Sequence, residues 1–397
     1  MKHLRSIVLS LAAVLPQAGP AAAQADFLSC LQRLRGEAIA NGIAPAVIDN
    51  AFAGLQPDMR VVDLDGKQPE FSLTFGQYLR NAINEQRLQM GQQKLAQFAP
   101  LLAQIERQYG VPAAYLVAFW GMESNYGTYL GDMPVVRSLA TLACYTRRAA
   151  FFGNELQQAL RILAQGRITP AQMKGSWAGA MGNTQFMPST YMTYGIDSDG
   201  DGRIDLWGSM PDVFASSANF LRGIGWQSTL PAQIEVRLPQ GFPLERADEV
   251  TERPTSEWLA MGVRAADGRP LPTTTAVLVL PSGHKGPAFL LLPNFKAVMN
   301  WNRSQLYALS VGHLAQRLAG GPDLISTLPA DDVPLRRDMI LDMQRRLQAL
   351  GLYEDEIDGL VGPKTRAAVR VYQQRNGLPP DGHPTPDMIE RLRTARP

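Results

Sequence analysis

The sequence predicts an α+β fold that is mainly α-helical, with a small β-rich subdomain inserted in the helical part and a helical module at the C-terminus. Three observations support this prediction. Apolar residues recur at helical spacing over most of residues 26–228, and the period changes to strand-like alternation between about 230 and 293. A stretch rich in Gly, Pro and Asp at 319–334 then marks a linker before residues 335–397. With 397 residues, the chain is long enough for two or three domains.

The helical part extends from residue 26 to about 318 and is interrupted by the β-rich segment. Helical spacing is clear from Phe27 onward and over residues 75–102, where Leu79, Leu88 and Phe98 contribute to a core stripe. Residues 233–238 alternate between polar and apolar, and two apolar runs at 276–280 and 288–292 flank a turn that predicts a hairpin. Helical spacing returns near Asn294.

The C-terminal segment 335–397 is predicted to form a compact helical module. One helix is predicted over residues 338–350, and another begins at Pro363, because proline favours the first turn of a helix. Two similar Asp-Gly turns, at Asp358 and Asp381, form a faint internal repeat.

The N-terminus is typical of an export signal. Lys2 and Arg5 precede a short apolar run, and small residues that suit cleavage end at Ala25, which predicts a signal peptide over residues 1–25. The apolar run is too short to span a bilayer, so we expect no transmembrane anchor. The chain has 38 Lys and Arg against 36 Asp and Glu, and two of the basic residues lie in this signal, so the remainder is formally neutral. That balance argues against nucleic acid as a partner.

Two cysteines, Cys30 and Cys144, follow the predicted signal. In an oxidising compartment they can form a disulfide, and the alternatives are a buried free thiol or lipidation of Cys30. Asp26 and Phe27 so close to Cys30 argue against a lipoprotein cleavage site. We therefore expect a soluble exported protein located in the periplasm.

The first motif with chemical meaning is an isolated carboxylate, Glu123, at the end of an apolar run. A carboxyl group in apolar surroundings resists ionisation, and a protonated carboxyl can donate a proton in glycoside cleavage. A capped structural glutamate at a helix end is the alternative. A second motif over residues 175–191 is rich in small residues and includes Ser176 and Gln185, which can both donate and accept hydrogen bonds to a sugar or amide. Tight packing over glycines is the alternative there.

A third motif is an acidic loop that follows the spacing of an EF-hand. Acidic residues alternate from Asp197, and Gly202 stands where the sharp turn requires glycine. Gly208 occupies the position of the usual closing glutamate, and Asp212, four residues later, is the candidate to replace it. We predict a structural calcium site, and a solvated acidic turn is the alternative. The predicted ligands are Asp197, Asp199, Asp201, Arg203, Asp205 and Asp212.

Taken in order, the first two motifs resemble the membrane-bound lytic murein transglycosylase B family, over most of residues 30–318. The resemblance implies a lysozyme-like catalytic domain, a β-containing middle part and, in some members, an EF-hand-like loop. It implies that Glu123 is catalytic and that Ser176 and Gln185 contact the substrate. It further implies that the cleft is lined by Asn302, Tyr307, Tyr78, Arg147 and Arg148. Trp301 departs from the family pattern, where a tyrosine can occur.

The tail resembles the small three-helix peptidoglycan-binding domain, through Gly362-Pro363, the two Asp-Gly turns and the apolar positions around them. Together the resemblances imply a lytic transglycosylase that cleaves the β-1,4 bond between N-acetylmuramic acid and N-acetylglucosamine and leaves 1,6-anhydromuramoyl ends. The expected partner is the glycan strand, and no cofactor is expected for the chemistry. A hydrolytic muramidase and a non-enzymatic wall-binding protein are the alternative functions.

Overall fold

The computed structural model describes residues 20–66 and 73–394, with side chains from Asp26 onward. The predicted signal peptide falls largely on residues 1–19, which lie outside the described residues. No helix in the described part of the chain is long and apolar enough to cross a membrane.

Helices dominate the described structure, which confirms the predicted fold class. In chain order they are α1 (Pro20–Ala40), α2 (Pro45–Phe52), α3 (Met59–Asp65), α4 (Phe75–Ala82), α5 (Glu85–Gln97), α6 (Ala99–Tyr109), α7 (Ala113–Ser124), α8 (Val135–Tyr145), α9 (Ala149–Ala164), α10 (Pro188–Tyr194), α11 (Met210–Gly223), α12 (Thr255–Ala260), α13 (Pro293–Trp301), α14 (Gln305–Leu318), α15 (Arg337–Ala349), α16 (Pro363–Arg375) and α17 (Pro386–Thr394).

The strands form one ribbon and one larger sheet. They are β1 (Met133–Pro134), β2 (Lys174–Gly175), β3 (Gln233–Arg237), β4 (Arg253–Pro254), β5 (Arg264–Ala265), β6 (Thr275–Val279) and β7 (Ala288–Leu291). β1 pairs antiparallel with β2, and the larger sheet has the antiparallel order β4-β6-β7-β3-β5. The predicted hairpin is therefore present as β6 and β7.

Two apolar clusters hold the helical part together. One surrounds α7, which is buried on nearly all sides, and includes residues of α11 and α14. The other joins α1, α8 and α9. Trp301 packs against both clusters, and its ring stacks on Phe119 with the centroids 4.2 Å apart. The Trp301 ring also packs on Phe186 and Phe220, so the departure from the family pattern has a structural role between the two clusters.

Cys30 and Cys144 form a disulfide that joins α1 to α8. Of the three states that the sequence leaves open, the structure selects the disulfide, which links residues 114 positions apart. A cross-link over so long a loop restricts the unfolded chain strongly.

The C-terminal module contains α15, α16 and α17 around a small apolar core. Its faint sequence repeat is also a repeat of hydrogen bonds. Gln344 donates to Asp358 Oδ1 (2.9 Å) and accepts from the next backbone N–H, and Gln373 does the same around Asp381 (2.8 Å). The Asp381 carboxylate additionally accepts from the backbone N–H (2.9 Å) and ring Nδ1 (2.6 Å) of His284, which joins the module to the turn between β6 and β7.

Candidate active site

Glu123 lies in the last turn of α7 and is half-buried. Residues 115–121 of this helix are all buried, so the apolar sequence that precedes Glu123 fixes the helix in the core. The Tyr307 hydroxyl, from α14, donates a hydrogen bond to Glu123 Oε1. Tyr307 is itself 4% exposed, so this contact is held inside the packed helices. Glu123 and Tyr307, which the sequence analysis identifies separately as site residues, are therefore in direct contact.

The backbone directly after Glu123 is unusual. Asn125, Tyr126 and Gly127 have successive φ angles of 49°, 59° and 80°. A bulky residue such as tyrosine rarely takes the left-handed conformation, and such strain is found mostly at functional sites. The Tyr126 hydroxyl holds its place by donating to the carbonyl of Arg87 (2.9 Å), and burial raises the pKa of Tyr126 to about 12.

A buried hydrogen-bond network ties this helix end to the glycine-rich segment. Asn183 Oδ1 accepts from Trp120 Nε1 (2.8 Å), and the Asn183 carbonyl accepts from Ser124 Oγ (2.6 Å). Ser124 Oγ also accepts from the backbone N–H of Gly127 (3.0 Å). Because Asn183 and Ser124 are buried, these bonds fix the residues on both sides of Glu123. Asn183 was missed in the sequence, where it is one polar residue among several in the segment.

The segment that contains Ser176 and Gln185 lies against the loop after Glu123. A Cβ placed on Gly131 would lie 2.1 Å from the carbonyl oxygen of Gly175, so only glycine allows the two backbones to approach this closely. Gln185 Nε2 donates to the carbonyl of Leu130 (3.1 Å) in the same loop. Ser176 Oγ accepts from the backbone N–H of Ala180 (3.1 Å), and its side chain is half-buried.

Asn302 lies just before the helix that carries Tyr307. Asn302 Oδ1 accepts from the backbone N–H of Ser304 (3.0 Å), and Ser304 Oγ caps α14 by accepting from the Tyr307 N–H (3.2 Å). Asn302 and Ser304 therefore set the start of α14, and with it the position of Tyr307 next to Glu123.

Tyr78 is half-buried on α4 and lies within electrostatic reach of the guanidinium of Arg87. Arg87 was not identified from the sequence, although it supports the strained turn. Its Nε donates to Asn125 Oδ1 (3.4 Å), its Nη1 donates to the carbonyl of Ala82, and burial lowers its pKa. No sequence motif identifies Arg87, because its role depends on contact with Asn125, which lies 38 positions away in the sequence.

The pair Arg147 and Arg148 is exposed at the turn between α8 and α9. The Arg148 guanidinium pairs with Asp65 and lies 4.7 Å from the centroid of the Phe152 ring. These contacts of Arg148 lie on the α3 and α9 side and do not include Glu123.

The acidic loop brings three of its six predicted ligands together. Asp197, Asp199 and Asp212 each offer a carboxylate oxygen, and these oxygens lie within 4.8 Å of one another. Asp212 is fully buried, and burial raises its pKa even though its carboxylate accepts backbone N–H groups from Ser198 (2.7 Å) and Asp205 (2.8 Å).

The other predicted ligands lie outside this group. Asp201 Oδ2 accepts from the Nε of Arg203 (2.8 Å), and Asp205 Oδ1 accepts from the backbone N–H groups of Trp207 and Gly208. Three carboxylates, one of them buried, are nevertheless a donor set suited to a hard cation such as calcium.

Comparisons with known proteins agree with this organisation. The Transglycosylase SLT domain family matches residues 26–316, and the peptidoglycan binding domain family matches residues 336–392. SltB3 from Pseudomonas aeruginosa, solved in complex with NAG-anhNAM-pentapeptide, is 46% identical, with a TM-score of 0.89 over 93% of this chain and 99% of that chain.

Two further relatives are more distant. Membrane-bound lytic murein transglycosylase B of Escherichia coli (strain K12) is 33% identical over 248 residues, which are 61% of this chain and 66% of that protein. The Escherichia coli lytic transglycosylase Slt35, solved in complex with calcium, is 28% identical, with a TM-score of 0.63 over 79% of this chain and 98% of that chain.

Proposed function

The chain belongs to the Transglycosylase SLT domain family and is a lytic transglycosylase that acts on peptidoglycan, and we propose that Glu123 carries out both proton transfers of its reaction. The bond cleaved is the β-1,4 bond between N-acetylmuramic acid and N-acetylglucosamine. The observation that carries the proposal is the position of Glu123, which ends a buried helix and accepts a hydrogen bond from Tyr307.

In the first step, protonated Glu123 donates its proton to the glycosidic oxygen as the bond to C1 breaks. The 2-acetamido group of the muramoyl sugar stabilises the positive charge at C1, and Ser176 orients that group. In the second step, the Glu123 carboxylate takes the proton of the C6 hydroxyl while that oxygen attacks C1. The product is a 1,6-anhydromuramoyl end, and Glu123 regains its proton.

One carboxylate is sufficient for this sequence, because the nucleophile belongs to the substrate. A retaining hydrolase instead needs a second carboxylate at a short separation. We assign to the Tyr307 hydroxyl the role of stabilising the Glu123 carboxylate between the two steps. Asn183 fixes the C-terminal end of α7, which carries Glu123, by accepting a hydrogen bond from Ser124.

Digestion of purified sacculi tests the assignment of Glu123. General acid–base catalysis contributes about a hundred- to ten-thousand-fold, so Glu123→Gln is expected to lose at least that factor in release of soluble fragments while still binding sacculi. Glu37→Gln, at an exposed glutamate of α1 that pairs with Arg33, is the matched control and is expected to retain activity. A Glu123→Gln protein with near wild-type turnover would refute the role.

We also propose that the protein is exported to the periplasm through cleavage within residues 1–25. The basic start, short apolar run and small-residue end of this segment support the proposal. Mass measurement of the protein recovered from the periplasmic fraction tests it. A mature N-terminus near residue 24 or 26 is expected, and an uncleaved cytoplasmic protein would contradict it.

For the acidic loop we propose a structural calcium ion, held by Asp197, Asp199 and Asp212. Three carboxylate oxygens that lie within 4.8 Å of one another support it, and the ion has no part in the bond-breaking steps. A ligand that binds only the folded state at about 100 times its Kd stabilises that state by about 2.7 kcal/mol. We expect calcium to raise the Tm of the chelator-treated protein and Asp199→Asn to abolish the rise. An equal rise in both proteins, or none in the wild type, would exclude this site.

A further inference from the structure

A cavity of 430 Å³ lies between the end of α9, strand β2 and the acidic loop. Its apolar wall includes Ile168, Ile204 and the half-buried Trp207. The volume is within the range of small-molecule sites. No residue of this cavity takes part in the proton transfers proposed for Glu123.

The charged groups on the cavity wall are mainly cationic. Arg167, Lys174 and Arg203 line it, against one acidic residue, Asp205. Arg203 is already paired with Asp201 (2.8 Å from its Nε) and with Asp205 (3.8 Å from its Nη2). Arg167 and Lys174 are exposed and make no ion pair with a described residue. Two uncompensated cations beside one cavity favour an anionic ligand.

The backbone that carries these two cations is held in place. Thr169 donates to Gln172 Oε1 from its backbone N–H (3.0 Å) and from its hydroxyl (2.8 Å), which closes the turn between Arg167 and β2. The indole Nε1 of Trp207 donates to the carbonyl of Lys174 (2.9 Å) and fixes β2 against the acidic loop. A site with a fixed backbone loses little conformational freedom when a ligand binds.

The cavity is adjacent to the residue that we assign to the muramoyl sugar. Lys174 and Ser176 are two positions apart, so their Cα atoms are separated by at most about 7 Å. The muramoyl sugar carries its acetamido group on C2 and its peptide, through a lactyl group, on C3. If Ser176 orients the acetamido group, the peptide leaves the sugar from the neighbouring carbon and begins close to Lys174.

We propose that this cavity holds the stem peptide of the muramoyl sugar, with Arg167 and Lys174 binding its carboxylates. Guanidinium and ammonium groups form charge-assisted hydrogen bonds with carboxylates. The apolar wall at Ile168, Ile204 and Trp207 suits the aliphatic parts of the same peptide. The inference rests on the proposed function, because the role of Ser176 determines where the peptide begins.

Titration calorimetry on the full-length Glu123→Gln protein tests the site. The probes are a muramoyl disaccharide whose pentapeptide has free carboxylates, the same compound with these groups converted to carboxamides, and the peptide-free disaccharide. We expect the carboxamide probe to bind about ten-fold or more weakly than the carboxylate probe, since it loses charge-assisted hydrogen bonds. Because both cations are exposed to solvent, this difference is expected to shrink as the salt concentration rises.

Replacing both cations tests their role. Arg167→Gln combined with Lys174→Gln, in the same background, is expected to weaken binding of the carboxylate probe about ten-fold and to remove the difference between the two peptide probes. The peptide-free disaccharide is expected to bind this variant as it binds the parent. The hydrogen bond from Trp207 uses the backbone of Lys174, so we expect the Tm to stay close to that of the parent.

Arg107→Gln combined with Arg345→Gln is the matched control. It removes the same net charge from two exposed arginines that do not line the cavity, and it is expected to bind all three probes as the parent does. Equal affinity of the parent for the two peptide probes, or equal losses in the two double variants, would overturn the proposal.

Failure of this proposal is separable from failure of the proposed reaction. Digestion of peptide-free glycan reports on Glu123 alone, and the calorimetric comparison of the two peptide probes reports on the cavity. A protein that leaves hydrolysed ends on glycan but discriminates between the probes would refute the reaction and retain the site.

Discussion

The Tyr307 hydroxyl donates a hydrogen bond to Glu123 Oε1 across 184 positions of sequence. The contact depends on α14 packing against α7, and Ser304 fixes the start of α14 with a side-chain cap. Both partners lie within or beside the largest apolar cluster, so the surrounding core sets their geometry. The tyrosine is therefore part of the catalytic apparatus that we assign to Glu123.

Tyr307→Phe removes this hydroxyl and little else. A hydrogen bond to a charged group contributes about 1.5–3 kcal/mol, so we expect kcat to fall by about ten- to a hundred-fold. The measurement is the initial rate of fragment release from sacculi at saturating substrate.

Tyr115→Phe is the matched control for that change. Tyr115 is a buried tyrosine whose hydroxyl accepts from the backbone N–H of Ala232 (2.7 Å). Its loss is expected to reduce the free energy of unfolding by about 1–3 kcal/mol and to leave kcat of the folded protein close to wild type. Equal losses of kcat in both variants would mean that Tyr307 acts only through stability.

Gly127→Ala tests the strained turn after Glu123. A Cβ at Gly127 would lie 2.6 Å from Asn183 Oδ1, and the φ of +80° is unfavourable for alanine. We expect a loss of about 2–4 kcal/mol in the free energy of unfolding, together with reduced kcat. Gly166→Ala has a similar φ of +72° with nothing near its Cβ, so it is expected to lose only about 1–2 kcal/mol and to keep its kcat. Urea unfolding and turnover distinguish the two, and equal effects would argue against steric disruption of Asn183.

Replacing both cysteines by serine tests the contribution of the disulfide. The loop closed between Cys30 and Cys144 is long, and such cross-links typically contribute about 2–4 kcal/mol. Under oxidising conditions we expect the double variant to unfold at a lower urea midpoint than the wild type. The wild type with its disulfide reduced is expected to unfold at a midpoint similar to that of the double variant. Unchanged stability would mean that the cross-link forms no significant constraint on the unfolded chain.

The Asp381 carboxylate, which accepts hydrogen bonds from His284, is expected to make the stability of the protein depend on pH. Burial alone would raise the pKa of Asp381, but hydrogen bonds from His284, His383 and Gln373 hold it below its usual value. Its stabilising contribution is therefore complete above the unfolded-state pKa, about 3.9, and is lost as the pH falls through the lower folded-state value.

Asp381→Asn is accordingly expected to lower the free energy of unfolding at pH 7. Below about pH 4, where the wild type loses stability as the pH falls, the variant is expected to lose less. The measurement is urea unfolding across that range. Asp355→Asn removes an exposed ion pair with Lys364 and is expected to leave stability close to that of the wild type, because solvent screens such pairs. A wild-type profile that stays as flat as that of Asp381→Asn would contradict the role of the carboxylate.

Patterns that are local in sequence predicted much of this structure. The helical spacing, the hairpin turn and Pro363 each determine a nearby element, and α15, α16, β6 and β7 lie where these patterns indicate. Glu123 was identifiable because an isolated charge in an apolar run is conspicuous within ten residues. The acidic loop was visible for the same reason, although only three of its predicted ligands converge.

Contacts between distant segments were not predictable in the same way. The support of the strained turn by Arg87 and the network centred on Asn183 depend on how separate segments pack, and neither residue carries a distinctive local pattern. The contacts of Arg366 with Glu249 and of His383 with Asp332 arise only where the module meets the rest of the chain. These contacts depend on how the elements pack against one another. Local sequence patterns predict the elements but not their packing.

Digestion of sacculi in water enriched in the heavy oxygen isotope, followed by mass analysis of the released ends, tests the central claim most directly. If the C6 hydroxyl attacks C1, the muramoyl ends are anhydro forms that are lighter than hydrolysed ends by one water and carry no isotope label. Muramoyl reducing ends that carry the heavy oxygen would show that water attacks and would contradict the account.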